Sequence, residues 1–133
     1  MEARAIARYV RISPTKVRRV LALIRGRDLG EALATLDFTP GAASPAIKKL
    51  INSAAANAEN NHGMDRERLW VSRAHADAGP SLRRFRPGSM GRGGIIRRRI
   101  SHITVVVEER PREPSAPRAR RRGGAEPEKS KER

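Results

Sequence analysis

The sequence predicts a small mixed fold of three helices and three strands, with a long basic arm between the last two strands. Three segments carry apolar residues at helical spacing, and three others have the composition of strands. Residues 78–99 fit neither pattern and are rich in arginine, glycine and proline. The chain has 133 residues and a formal net charge of +15, a length that allows one domain with a tail.

The first strand and the first helix are predicted from the N-terminal quarter of the chain. Residues 3–12 mix aliphatic residues and a tyrosine with arginine, which favours a strand. Ser13 is a suitable N-cap, and Pro14 suits the first helical position because its missing N–H costs nothing there. Gly26 is expected to end the helix. The apolar face of this helix is Val17, Val20, Leu21 and Ile24.

Two further helices follow in the middle of the chain. Asp28 and Glu31 have the spacing of a capping box, which predicts the start of a second, short helix that a Thr-Pro-Gly sequence ends. Ser44 and Pro45 repeat the cap-and-proline pattern and predict the start of the longest helix. Residues 60–63, Asn-Asn-His-Gly, are expected to end it.

The last two strands are predicted at residues 69–77 and 100–107. Between them lies a stretch of 22 residues, far longer than an ordinary hairpin loop. If each leg of this arm is extended at roughly 3.3 Å per residue, the arm reaches about 35 Å. Loops of this length are usually functional or disordered.

The charge is concentrated in two segments. Residues 1–27 hold eight basic residues and one acidic residue, and residues 78–107 hold seven arginines and no acid. Residues 28–77 carry a small negative excess. Seven guanidinium groups without counter-ions repel one another, and an isolated two-stranded ribbon is marginal in water. We therefore expect the arm to be ordered by a phosphate-rich partner that it penetrates; a disordered basic loop is the alternative.

Individual residues in the two basic segments have two interpretations each. Lys16, Arg18 and Arg19 lie in the first turns of a helix, where the dipole disfavours positive charge. They form either a solvated face or a site for an external anion. Phe85 and Met90 either wedge against bases of a partner or pack across the arm. We expect packing for Phe85 and contact with a partner for Met90 at the tip.

Other chemistries find little support in the sequence. There are no cysteines, which excludes disulfides, zinc knuckles and thiol catalysis. His62, His75 and His102 lack metal-ligand spacing, no phosphate-binding loop motif is present, and no acid–base pair can be assigned. We expect no cofactor, no metal and no enzymatic activity.

No transmembrane segment and no secretory signal is apparent, so we expect a cytosolic protein. An architectural DNA-binding protein with a basic arm is the competing hypothesis.

Several short motifs occur in order along the chain and resemble those of a known family. They are Ser13-Pro14-x-Lys16-Val17-Arg18, residues 53–58 with Asn60-Asn61, Gly79-Pro80-Ser81, Gly91-Arg92, and residues 101–105. Together they resemble the L-twenty-two family of bacterial large-subunit ribosomal proteins over residues 1–109. The resemblance implies an α+β fold in which three helices pack on a three-stranded antiparallel sheet with a long protruding β-hairpin. It also implies a structural constituent of the large subunit with a role in its assembly. The globular part would lie by the exit-tunnel opening, and the hairpin would thread through ribosomal RNA.

The resemblance also implies partners and sites. The partners are large-subunit ribosomal RNA, neighbouring ribosomal proteins and, at the tunnel wall, the nascent polypeptide, with no membrane and a cytoplasmic, ribosomal location. Gly88 departs from the family, which commonly has an arginine there, and residues 110–133 have no counterpart and are expected to be a disordered tail. The tunnel tip is assigned to Pro87, Gly88, Ser89, Met90, Gly91, Arg92 and Gly93. RNA binding is assigned to basic residues of the first strand, the first helix and the arm. They are Arg11, Lys16, Arg18, Arg19, Arg83, Arg84, Arg86, Arg92, Arg97, Arg98 and Arg99.

Overall fold

The computed structural model describes residues 1–111, so that nearly all of the predicted tail lies outside the described residues. The strands of this part form one antiparallel sheet in the order β1-β3-β2. Short 3₁₀ turns occupy residues 66–68 and 89–91. The elements are β1 Glu2–Val10, α1 Pro14–Ile24, α2 Leu29–Phe38, α3 Ala43–His62, β2 Leu69–Pro87 and β3 Gly93–Glu109.

The three helices pack together and against the sheet, which confirms the predicted α+β fold. α1 packs on β2, α3 packs on β1 and β3, and α2 contacts both other helices. Ile103, Val105 and Val107 of the central strand β3 are fully buried. The neighbouring strands contribute mostly alanines to this core, such as Ala5 and Ala76. The core side of the sheet therefore combines branched residues of β3 with Leu69 and Val71 of β2 and with alanines of both edge strands.

Helix α1 matches its prediction except at its cap. Pro14 begins the helix, and its predicted apolar face is buried. Ser13 occupies the N-cap, but its hydroxyl makes no capping hydrogen bond. Its backbone carbonyl instead accepts from the N–H groups of Lys16 at 3.1 Å and Val17 at 3.2 Å. Gly26 follows the last turn with a φ of +75°, in the left-handed region that glycine enters without strain.

The predicted capping box at the start of α2 does not form. Asp28 is the N-cap residue, but its carboxylate accepts no capping hydrogen bond. It lies 2.9 Å from Nε of Arg110, whose guanidinium stands 5.7 Å from the centre of the Trp70 ring. The carboxylate of Asp28 therefore pairs with Arg110, which is distant in sequence, instead of with a backbone N–H at the start of α2.

Helix α3 begins earlier than predicted. Ala42 is the N-cap and already has helical angles, so Ser44 lies inside the first turn rather than at the cap. Its hydroxyl is buried, and no hydrogen-bond partner for it occurs within residues 1–111. The predicted end is confirmed, because Gly63 caps the helix with a φ of +61°.

Both long strands run far beyond their predicted ends and build the arm. β2 continues from the body of the sheet to Pro87, and β3 starts at Gly93, which agrees with the long protruding β-hairpin that the resemblance implied. The limits of residues 77 and 100 predicted from composition were wrong. The arm is a ribbon paired in register from Ser81–Arg99 to Pro87–Gly93. Glycine and proline have low strand propensity, but pairing with the opposite leg outweighs it.

The register shifts where the arm leaves the body, between Ala78 and Ser81. Gly79 lies in this irregular stretch, and a Cβ there would stand 3.1 Å from the carbonyl oxygen of Ile100. A side chain at this position would push the two strands apart by a few tenths of an ångström, so glycine favours their close approach at the base of the arm.

The outer edge of β2 is covered within the body by Arg18 of α1 and by the two residues that follow this helix. Arg18 donates from Nε and Nη2 to the carbonyl of Ala76 at 3.0 and 2.9 Å, and Arg25 donates from Nε to the carbonyl of Ala74 at 2.7 Å. The N–H of Gly26 donates to the carbonyl of Val71 at 2.8 Å. Edge strands with free backbone groups invite pairing with other chains, and these contacts close that edge.

Candidate nucleic-acid-binding surface

The paired arm has two faces, because side chains alternate along each leg. The first, here called the Phe85 face, places Arg83 directly opposite Arg97. Like charges in opposite positions destabilise a ribbon, so this pair favours an external anion. The second, here called the Leu82 face, carries Leu82, Arg84, Arg86, Gly94, Ile96 and Arg98. The other residues of the Phe85 face are Ser81, Phe85, Pro87, Gly93, Ile95 and Arg99.

A crevice at the base of the arm collects residues from distant parts of the sequence. It has a volume of about 650 Å³ and lies between the arm, the β1–α1 connection and the residues before α3. Its lining contains no carboxylate, and its basic members are Arg11, Lys16, Arg84, Arg98 and Arg99. The fold thus brings together five residues predicted to bind RNA.

Arg18 and Arg19 face different surroundings although they are adjacent in sequence. Arg19 lines a second groove that shares Ile12, Lys16 and Ala42 with the basal crevice. Arg18 turns toward the edge of β2, where its guanidinium is hydrogen-bonded to Ala76. Arg19 therefore extends the cationic surface, whereas Arg18 has a structural partner.

The basic residues of the body and those of the arm differ in their partners. Within residues 1–111, none of the residues predicted to bind RNA pairs with a carboxylate. The arm and the basal crevice therefore carry cationic side chains without carboxylate partners in this part of the chain, as do Arg4, Arg8 and Lys49 of the body. The ion pairs that involve lysine or arginine are Lys48–Asp37, Arg66–Glu59, Arg68–Glu109, Arg73–Glu2 and Arg110–Asp28.

The tip of the arm is a tight turn that presents Met90. The N–H of Gly88 donates to the carbonyl of Arg92 at 2.6 Å, and the N–H of Arg92 donates to the carbonyl of Ser89 at 3.2 Å. Met90 has a φ of +55°, which is unusual for a residue with a side chain and costs about 1 kcal/mol. Its side chain is 96% exposed at the end of the arm.

Phe85 packs across the ribbon, as its position suggested, but remains largely uncovered. Its ring lies over Gly93, where a Cβ would overlap it. Ile95, directly opposite, is also exposed, and the sequence alone had given no reason to select it. The contribution of Arg25 to the β2 edge was likewise missed, since it depends on a tertiary contact.

His102 has a structural hydrogen bond within the sheet. Its Nδ1 accepts from the N–H of Tyr9 at 3.1 Å, and the two rings meet edge to face at 4.9 Å. Among residues 1–111, no group of three His, Asp or Glu side chains could hold a metal ion. In the same part of the chain no helix is long and apolar enough to cross a membrane.

A basic α+β domain with an arginine-lined ribbon and a cationic crevice is typical of proteins that bind structured nucleic acid. Residues 5–108 match the family described as ribosomal protein L22p/L17e. A relative from Thermoanaerobacter sp. (strain X514), named large ribosomal subunit protein uL22, is 61% identical over 110 residues, which cover 83% of this chain and 99% of the relative. The chain therefore belongs to the ribosomal protein L22p/L17e family.

Two other curated relatives carry the same name. The protein from Halothermothrix orenii is 57% identical and that from Pelotomaculum thermopropionicum is 54% identical, each over 110 residues that cover 83% of this chain and 97% of the relative. These matches confirm the family that the sequence motifs had indicated. Since the family consists of structural ribosomal proteins, they also confirm that the chain is not an enzyme.

Substitution of the two neighbouring arginines should separate the structural and the binding roles. We expect Arg18→Ala to lower the free energy of unfolding by about 1–2 kcal/mol, because the Ala76 carbonyl loses its donors. Arg19→Ala should leave stability within about 0.5 kcal/mol and weaken binding of ribosomal RNA by about 5- to 8-fold at 0.1 M salt. Urea unfolding and filter binding measure the two effects, and a stable Arg18→Ala variant that loses RNA affinity would contradict this division.

Proposed function

We propose that this protein is a structural constituent of the large ribosomal subunit that binds and bridges large-subunit ribosomal RNA and takes part in subunit assembly. Its family membership supports the ribosomal role. One observation carries the finer proposal: basic residues of the arm and the basal crevice lack carboxylate partners within residues 1–111, whereas several in the body have them. Phosphates would supply the missing partners.

Bridging follows from the arrangement of the arginines on the ribbon. Arg83 and Arg97 lie on the Phe85 face, and Arg84 and Arg98 lie on the Leu82 face. A guanidinium fork can donate two parallel hydrogen bonds to one phosphate. An arm inserted between RNA segments can therefore contact a different segment with each face. The contacts join parts of the RNA that are distant in its sequence.

The proposed RNA-binding domain spans residues 1–109, with the arm at residues 78–99, in a cytoplasmic ribosome. The outer surface of the body would contact neighbouring ribosomal proteins. Residues 87–93 are proposed to form part of the tunnel wall and to contact the nascent polypeptide; the exposed Met90 at the end of the ribbon supports this position.

The tip can be tested in assembled ribosomes. We expect Met90→Ala and Arg92→Ala to leave subunit assembly intact but to change tunnel-dependent stalling or the binding of drugs in the tunnel, because both residues lie at the end of the arm. Phe38→Ala, an equally exposed position on α2, is the control. Unaltered stalling and drug binding in both tip variants would remove the tip from the tunnel wall.

Competition binding tests the RNA proposal against the DNA-binding alternative. The full chain should prefer folded large-subunit ribosomal RNA to duplex DNA of equal phosphate count at matched salt. Five to seven arm contacts predict a slope of log affinity against log salt of about −4 to −6. A preference for the duplex would favour an architectural DNA-binding protein, whose arm would enter a groove.

A further inference from the structure

Two large apolar side chains stand opposite each other in the most cationic part of the described chain. Phe85 pairs with Ile95 across the ribbon, and their exposed fractions are 73% and 66%. A two-stranded ribbon has no second layer on which to bury such residues. Their contiguous exposure on one face therefore indicates a contact with a partner.

The ring of Phe85 lies over a glycine on the opposite leg. It lies across the backbone of Gly93, where any side chain would overlap it. The glycine gives the ring a flat support and leaves its other surface free.

The charges beside this apolar pair favour a nucleotide as the occupant. Arg83 and Arg97 form the next pair on the same face, and within residues 1–111 neither pairs with a carboxylate. Nucleotides combine a flat base, which stacks on aromatic rings, with a phosphate, which pairs with arginine. An apolar peptide segment would cover Phe85 but leave both guanidinium groups unpaired.

We propose that Phe85 and Ile95 form a stacking platform for an unpaired base of large-subunit ribosomal RNA, with the adjoining phosphates held by Arg83 and Arg97. The platform rests on the proposed function, since it assigns a ligand to the same arm. It adds a contact that is independent of charge and separate from the basal crevice.

Affinity measurements on the full chain give the first test. Phe85→Leu keeps an apolar side chain over Gly93 but removes the aromatic face. We expect it to bind large-subunit ribosomal RNA about 5-fold or more weakly, with an upper limit near 150-fold, since stacking of one base is worth about 1–3 kcal/mol. Phe38→Leu is the matched control because Phe38 is 89% exposed on α2, away from the arm. Equal affinity of the Phe85→Leu variant and the wild type would overturn the proposal.

Fluorescence gives a second test, which a merely structural role would not affect. A base stacked on an indole quenches its emission, so the Phe85→Trp variant should lose emission when ribosomal RNA is added. The Phe38→Trp variant should not, and Trp70 is present in both as a common background. RNA binding with unchanged emission from the Phe85→Trp variant would overturn the platform.

The outcomes distinguish failure of the platform from failure of the proposed function. If RNA binding itself is wrong, the wild type will not prefer ribosomal RNA and loss of arm arginines will not matter. If only the platform is wrong, loss of arm arginines will weaken binding while Phe85→Leu binds like the wild type. A Phe85→Leu variant with normal RNA affinity and altered nascent-chain stalling would assign the patch to the peptide and overturn the platform.

Discussion

Simultaneous replacement of Arg97, Arg98 and Arg99 by alanine is expected to weaken binding of large-subunit ribosomal RNA by about 100- to 500-fold at 0.1 M salt. Arg97 lies on the Phe85 face, whereas Arg98 and Arg99 line the basal crevice, so the change affects both parts of the surface. Each lost phosphate contact should also reduce the salt slope by about 1. Filter binding at several salt concentrations measures both effects.

A variant with the same change of charge provides the control. Lys48, Lys49 and Arg66 lie on or next to α3, and Lys48 and Arg66 already have carboxylate partners. Their triple replacement by alanine should change RNA affinity much less. If the two triple variants bind alike, net charge rather than the arm determines the affinity, and the three arm arginines leave the site.

Amide exchange in the free protein verifies that the arm variant is folded. The amides of residues 100–107 should be protected from exchange in the wild type and in the triple variant of Arg97, Arg98 and Arg99, because β3 pairs on both sides there. Residues 81–87 and 93–99 should exchange faster, because the ribbon lacks a third strand, and RNA should slow their exchange in the wild type. Equal protection of arm and body without RNA would contradict the expectation that a polyanion orders the arm.

Ile103→Ala is expected to reduce the free energy of unfolding by about 2–5 kcal/mol. Ile103 is fully buried in the central strand, and its partners on both sides, Ala7 and Ala76, are too small to fill the cavity. Domains are commonly stable by only about 5–15 kcal/mol, so the loss would be a large part of the total. Urea unfolding followed by circular dichroism measures it.

Ile6→Ala is the matched control, since Ile6 is 44% exposed on β1. It removes the same atoms from a half-exposed position and should cost about 1 kcal/mol or less. Equal losses in the two variants would mean that the core is not organised around β3.

Much of the fold follows from local patterns. The stripe of α1 is predicted by its 3.6-residue period, which coincides with the face that is buried. The arm was expected because the stretch between the last two strands is too long for a turn and carries no apolar pattern. The segregation of charge likewise identified the segments that carry unpaired arginines.

The ends of the strands and the caps of the helices were harder to predict from the sequence, because residues distant in the chain determine them. The strands continue through arginine, glycine and proline since each leg satisfies the backbone groups of the other. Asp28 had a capping partner at suitable spacing, but its carboxylate pairs with Arg110, more than eighty residues away. Local spacing cannot reveal such competition.

The sequence by itself determined the class of fold, the position of the arm and the segregation of its charge, because periodicity and charge are properties of the chain. Only the tertiary structure decided which cations act together. Arg18 and Arg19 have the same chemistry, but each helical residue turns by about 100°, so one meets Ala76 and the other faces outward. Arg11, Lys16 and Arg98 share one crevice only because the sheet places the base of the arm beside the start of α1.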